Sequence, residues 1–378
     1  MKHLGDITKI DGSVVEPVEV IIGGSPCQDL SVAGKRAGLE GERSGLYMEQ
    51  IRIIKEMRKA DEQRGAINVR PRYMVWENVP GAFSSRGGED FRAVLEEAAR
   101  VCDNSAVIPR PADGWSNAGT VMGDGWSIAW RVFDAQFWGV PQRRRRIALV
   151  ADFGGYTAPE ILFERNSLSG NTPKSKEARG KVAASAEERA GSADIFTLDR
   201  ASFNQGENAK YDFAVDNDGI CPTTVARGGA AVFDSRGNGS GAVVPTLTGD
   251  HQSRVTDFTA LCIDKAVRRL TPLECERSQG YPDGWTDIGE YTDTQGKKRT
   301  ASDAARYKAL GNSIALPPWA WLLGRLIEYC EEKTMASLFD GIGGFPLIWE
   351  RLGGKCLWAS EIEEFPIAVT KYHFGGNT

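Results

Sequence analysis

Apolar and polar positions alternate along this chain with two different periods, and together they predict an open α/β sheet. Residues 18–24, Val-Glu-Val-Ile-Ile-Gly-Gly, read as a buried strand running into a tight turn. Residues 44–59 carry helical spacing, with Leu46, Ile51, Ile53, Ile54 and Met57 supplying the apolar face. A second strand at 73–76 enters a turn at Glu77-Asn78-Val79-Pro80, a helix is expected over 91–102, and two further strands over 126–133 and 147–150. Strands alternating with helices put ligand sites at the carboxyl ends of the strands.

The pattern lapses after Asp152. Residues 166–194 are rich in Ser, Ala, Gly, Lys and Glu without apolar periodicity, as in a linker or mobile loop. From Ile195 to about Lys265 the chain is rich in Gly, Thr, Asn and Asp, with short strand-like pieces that suit a small, loop-rich domain. Thr271-Pro272-Leu273-Glu274 then reads as a helix start, with Thr271 as N-cap and Glu274 as its reciprocal partner. An apolar helix over 316–329 follows the turn Gly311-Asn312-Ser313. A strand from Ala336 breaks into the glycine-rich turn Phe339-Asp340-Gly341-Ile342-Gly343-Gly344, and a last strand over 356–359 ends at Glu361.

Composition narrows the class. A chain of 378 residues with 41% hydrophobic and 26% charged residues can bury a sizeable core, in two domains or one with an insertion. No signal-peptide core and no apolar run of membrane-spanning length is present, so a cytoplasmic protein is expected. Seven scattered cysteines, never spaced C-x-x-C, and three histidines give no zinc-ligand cluster and point to no metal. A reducing compartment leaves one thiol available for chemistry. The net charge of −5 argues against a general basic field that coats nucleic acid, yet leaves room for a local basic cleft.

Four constellations carry candidate chemistry. Cys27, in Ser25-Pro26-Cys27-Gln28, ends a buried strand and precedes a glycine-rich stretch with the character of a lid. Glu77 ends the next strand, where a carboxylate can act as an acid or hold a base edge. The run Gln142-Arg143-Arg144-Arg145-Arg146 enters an apolar strand, and alternation would set Arg144 and Arg146 on one face. In the turn at 339–344 the glycines let the backbone approach a ligand, and Glu361, 20 residues beyond Gly341, is placed for ribose hydroxyls. The carboxylate of Asp340 would repel a pyrophosphate, which favours a cationic or zwitterionic nucleoside. Each motif alone has an ordinary reading as a buried thiol, a capping glutamate, a solvated arginine run or a glycine turn.

Taken together they resemble the C5-cytosine DNA methyltransferases. The resemblance rests on Phe339 to Gly344, Pro26-Cys27-Gln28, Glu77-Asn78-Val79, and Gln142, Arg144 and Arg146. Arg269 to Glu274, Gln279-Gly280-Tyr281-Pro282 and Gly311-Asn312-Ser313 complete it. It implies a Rossmann-like S-adenosylmethionine-dependent methyltransferase sheet with a smaller, loop-rich target-recognition domain. Residues 1–155 and 266–378 would form the catalytic domain and 156–265 the recognition domain. The order of motifs departs from the family, whose cofactor turn comes first. Joining residue 378 to residue 1 restores it, so the chain reads as a circular permutation tolerated where termini lie close.

The resemblance also implies roles. Cys27 would attack C6 of a flipped cytosine, Glu77 would hold N3 and the exocyclic amine, and Arg146, helped by Arg144, would bind the O2 side. S-adenosyl-L-methionine would be held by Phe339, Asp340, Gly341, Gly343, Gly344, Glu361 and Ile362, with Asp6, Ile7, Pro26, Leu46, Asn312 and Ser313. Gln28, Ser31, Thr224 or Thr246, Arg227 and Arg254 are the DNA-reading candidates. Double-stranded DNA is the expected partner, with a cognate restriction endonuclease beside it, in a monomer of bacterial or phage origin acting at the nucleoid. The rival readings are a tRNA cytosine-5 methyltransferase, a catalytically silent DNA-binding relative, and a Rossmann-like oxidoreductase that would leave Pro26-Cys27-Gln28 unexplained.

Overall fold

The computed structural model describes residues 1–25, 45–163, 231–234, 259–263 and 266–375, with backbone alone for the stretches between 231 and 269. The predicted linker at 166–194 lies outside them. The chain divides into two compact units. One comprises Met1–Phe133, Arg145–Gly170 and Pro318–Thr378; the other comprises Asp134–Arg144 and Asn171–Pro317.

The first unit is built on apolar runs that need cover on both faces. β2 (Val20–Gly23) is wholly buried, the signature of a central parallel strand. Its neighbours are β3 (Tyr73–Asn78) on one side and β12 (Thr334–Leu338) on the other, both parallel to it. β13 (Lys355–Ser360) lies parallel beyond β12, and the short β1 (Lys2–His3) lies parallel beyond β13. On the far side β6 (Arg145–Asp152) runs antiparallel to β3 and is followed by β5 (Trp126–Asp134), to which β4 (Ala118–Gly123) pairs antiparallel. The eight-stranded order is β1-β13-β12-β2-β3-β6-β5-β4, so strands from the two ends of the sequence alternate at one side of the sheet.

Helices cover this sheet through the faces their sequences predict. α1 (Gly45–Gln63) buries Tyr47, Ile51, Ile54 and Met57, and α2 (Glu89–Ala99) buries Phe91, Val94 and Leu95. The ring of Phe91 meets Phe83, Trp115 and Trp130 edge-on at 4.7–5.5 Å, the offset geometry aromatic quadrupoles favour. A short helix α3 (Ala158–Leu162) follows β6. Among the described residues no helix is long and apolar enough to cross a membrane.

The second unit contains a three-stranded antiparallel sheet, β7 (Ala231–Asp234), β8 (Thr259–Ile263) and β9 (Ala266–Arg269). α4 (Pro272–Gln279) starts with the capping box read from the sequence: Glu274 N donates to Thr271 Oγ1 at 3.2 Å and Thr271 N to Glu274 Oε2 at 2.8 Å. A hairpin of β10 (Glu290–Thr292) and β11 (Lys298–Thr300) and helix α5 (Asp303–Asn312) follow among the described residues. α6 (Leu316–Leu326) follows, and α7 (Gly344–Arg351) and α8 (Glu364–Phe374) belong to the first unit.

Candidate active site

At the carboxyl ends of β2 and β3 the first unit assembles a polar cluster from residues far apart in sequence. Arg146, the second residue of β6, places Nε 2.8 Å from Oε1 of Glu77 on β3, with both side chains only slightly exposed. The Glu77 carboxylate also crowds the turn after β2, since a Cβ on Gly24 would stand 3.0 Å from Oε2. A side chain there would make the carboxylate give way by a few tenths of an ångström, so the glycine leaves Glu77 room beside the backbone. The next residue, Ser25, is pinned to β3: its Oγ accepts from Trp76 Nε1 at 3.1 Å and from Asn78 Nδ2 at 3.3 Å. Ser25 precedes Pro26 and Cys27. Those two, with Gln28, Ser31, Thr224, Arg227, Thr246 and Arg254, lie outside the described residues.

Among the described cysteines the thiol is held protonated. Burial pushes the Cys275 thiol up to about 12 and holds Cys330 and Cys356 well above the usual thiol range. Cys102 is raised as well, by desolvation first. A thiol held up in this way supplies little thiolate at neutral pH. Among the described residues no group of three or more His, Cys, Asp or Glu could hold a metal ion.

The glycine turn after β12 is closed by the carboxylate at the end of β13. Glu361 Oε2 accepts from Gly341 N at 2.8 Å, and Oε1 accepts from Ile362 N at 2.7 Å and Glu363 N at 2.9 Å. Phe339 and Gly343 have φ of 54° and 77°, so the motif's non-glycine entry residue adopts a left-handed backbone. A Cβ at Gly343 would meet Phe374 at 2.7 Å, which fixes the turn tightly on α8. Ile362 is exposed, while Phe339 and Leu46 are partly buried against the core. Gly5 O accepts from Ser360 Oγ at 2.7 Å, bringing the Asp6 loop beside the end of β13. Asp6 caps its own short turn by accepting from Thr8 N at 3.0 Å, and Ile7 is buried in the core.

Two expectations need correction. Asp340 is buried rather than presented at the turn: Ser337 Oγ donates to Oδ1, and Oδ2 is enclosed with no hydrogen-bond partner among the described residues. Burial pushes its carboxyl up to about 8 against the Ser337 bond, with Glu361 adding to the rise. A largely neutral, internal acid repels no pyrophosphate, so Asp340 does not select a cationic or zwitterionic ligand in the way expected from the sequence. The second correction concerns Arg144. The strand begins at Arg145, so alternation does not reach Arg144. Its Nη2 instead donates to Gly311 O at 3.2 Å and to Ser313 O within the second unit.

Sequence reasoning quoted Ser25, Asn78, Gln279 and Tyr281 within its motifs but gave none of them a role. Gln279 Nε2 donates to Leu310 O at 2.8 Å, and the Tyr281 hydroxyl shares a hydrogen bond with Ser313 Oγ. The available signal was a glutamine and a tyrosine flanking the glycine that ends α4.

Comparison with known proteins adds a family. The model for C-5 cytosine-specific DNA methylase matches residues 1–101 and 119–327. The chain is 30% identical over 427 residues to the DNA N-6-adenine-methyltransferase of Escherichia phage P1, covering 88% of this chain and 56% of that protein's length. It is 26% identical over 329 residues to the Type II methyltransferase M.HpaII of Haemophilus parainfluenzae, covering 83% and 73% respectively. Among solved structures, the S. pombe Dnmt2 methyltransferase aligns with a TM-score of 0.46 at 15% identity, over 86% of this chain and 83% of that one. The family match runs through Glu77 and Arg146 as well as the Gly311–Ser313 turn. This chain belongs to the C-5 cytosine-specific DNA methylase family, whose members are enzymes.

Proposed function

We propose that the chain is a sequence-specific DNA (cytosine-5-)-methyltransferase using S-adenosyl-L-methionine. The observation that carries this reading is the Glu77–Arg146 pair at 2.8 Å, set against the Gly24 turn that leads into Cys27. A carboxylate and a guanidinium side by side at strand ends match the two polar edges of a cytosine. Glu77 accepts from the exocyclic amine and engages N3, and Arg146 donates to O2, where negative charge builds as a thiolate adds to C6. Cys27 supplies that thiolate, making C5 nucleophilic. C5 then bonds to the donor's methyl group, and loss of the C5 proton to a base with departure of the thiolate restores the ring. The base must leave the duplex to be reached.

The glycine turn and the Glu361 carboxylate fit a nucleoside whose ribose hydroxyls donate hydrogen bonds. Phe339, Gly341, Gly343, Gly344, Glu361 and Ile362 would hold it with Asp6, Ile7, Leu46 and Pro26, while Asn312 and Ser313 are assigned to the methionine end. S-adenosyl-L-methionine, when bound, supplies an electrophilic methyl group. The motif order is read as a circular permutation, supported by β1 lying beside β13 and by the Met1 amine donating to Phe374 O at 3.3 Å.

Incubating the protein and methyl donor with random-sequence duplex DNA, with tRNA in parallel, tests this function. The expected result is 5-methylcytosine within one short DNA sequence, and none with Cys27→Ala. A covalent adduct on fluorocytosine DNA should likewise require Cys27. The phage P1 relative carries N-6-adenine in its name, so the same libraries are read for N6-methyladenine. Methyladenine alone, or methylation of tRNA alone, would overturn the proposal.

A further inference from the structure

We propose that Arg144, Gln279 and Tyr281 are positioning residues that set the Gly311–Asn312–Ser313 turn for the methyl donor, so that Arg144 serves donor binding and not the target base. This rests on the methyltransferase reading. At the end of α5 the last carbonyls of the helix have no intrahelical donors. Here side chains supply them. Leu310 O accepts from Gln279 Nε2 at 2.8 Å and from Ser313 N at 3.2 Å. Gly311 O accepts from Arg144 Nη2 at 3.2 Å, and Ser313 O accepts from the same nitrogen. The Ser313 hydroxyl is engaged by Tyr281.

All of these groups are enclosed, with Gln279, Arg144, Tyr281 and Ser313 exposed by 0%, 3%, 4% and 7%. Buried polar contacts of this kind hold one geometry, because breaking any of them strands a desolvated group. Asn312 is the exposed member of the turn, and so the side chain left to meet a ligand. A guanidinium suits the bridging task because it is planar, permanently charged and rich in donors. A lysine ammonium is a mobile point charge.

The test compares Arg144→Lys and Tyr281→Phe with Arg146→Ala in the full chain. Affinity for S-adenosylhomocysteine without DNA is read by calorimetry, and donor KM and kcat by methylation kinetics. Arg144→Lys and Tyr281→Phe should each weaken S-adenosylhomocysteine and raise donor KM by about tenfold, the worth of one charge-assisted or buried bond, while kcat at saturating donor stays within about threefold. Arg146→Ala should show the opposite split. If Arg144→Lys lowers kcat with donor affinity unchanged, Arg144 touches the base and the proposal fails. Tyr281→Phe removes a single oxygen and carries the test should Arg144→Lys fail to fold; unchanged donor affinity there also overturns it. An unmodified chain that binds no S-adenosylhomocysteine would instead bring down the methyltransferase reading, and this proposal with it.

Discussion

Glu77 and Arg146 neutralise one another in a partly enclosed site, so removing either leaves the other facing a desolvated cluster. Glu77→Gln and Arg146→Ala are each expected to lower single-turnover methylation by about 10²-fold or more, with S-adenosylhomocysteine affinity retained, because they act on charge that develops only in the transition state. Asp340 makes a different prediction, about stability. Its carboxyl is raised from 3.8 to about 8, so between those values the native state holds a proton that the unfolded chain has released. Stability is therefore lost as pH rises through that window. Asp340→Asn should flatten the fall in thermal midpoint between about pH 6.5 and pH 8, above the range in which His3, lowered by burial to about 4, acts with the opposite sign. Glu77 and Arg146 were legible because each ends or begins an apolar strand. Ser25 and Asn78 were not, since their bond joins positions 53 residues apart and neither sequence neighbourhood hints at it. Asp340 looked like a ligand group because a carboxylate in a glycine turn reads as exposed, and only the packing reveals that it turns inward.

The elements whose own side chains bury them were the readable ones. β2 and β3 declare themselves as continuous apolar runs, and α4 by its capping residues. β4 does not, because its strand character comes from its partner: Gly119 and Gly123 stand opposite Trp130 and Trp126, whose rings fill the space a side chain would take. α5 was missed for a related reason. Within it only Arg306, Ala309, Leu310 and Gly311 are buried, too few to make an apolar stripe. The α4 cap gives a clean test at this scale. Thr271→Ala removes the acceptor for Glu274 N and should cost about 1 kcal/mol, seen as a lower urea midpoint with an unchanged m-value.

At the scale of the whole molecule, the motifs could be read as a circle from their order alone, but the strand order could not. The sheet places β12 and β13 between β1 and β2, so the sequence's last strands fill the middle of its first ones. Under the proposed permutation, a chain re-opened between the exposed Glu331 and Glu332, with residue 378 linked to residue 1, would carry the motifs in family order. If the order is a permutation, this chain should keep S-adenosylhomocysteine affinity within about threefold, a change below 1 kcal/mol. A re-opened chain that folds without binding would count against it. The same arrangement has a consequence for synthesis. β2 leaves the ribosome some 300 residues ahead of its partner β12. At roughly 5–20 residues per second, one edge of β2 waits for roughly a quarter of a minute to a minute without its neighbour, a nascent apolar strand open to chaperones and to other chains. Cell-free translation should therefore yield more soluble protein from the re-opened gene, in which that strand finds its partner already made.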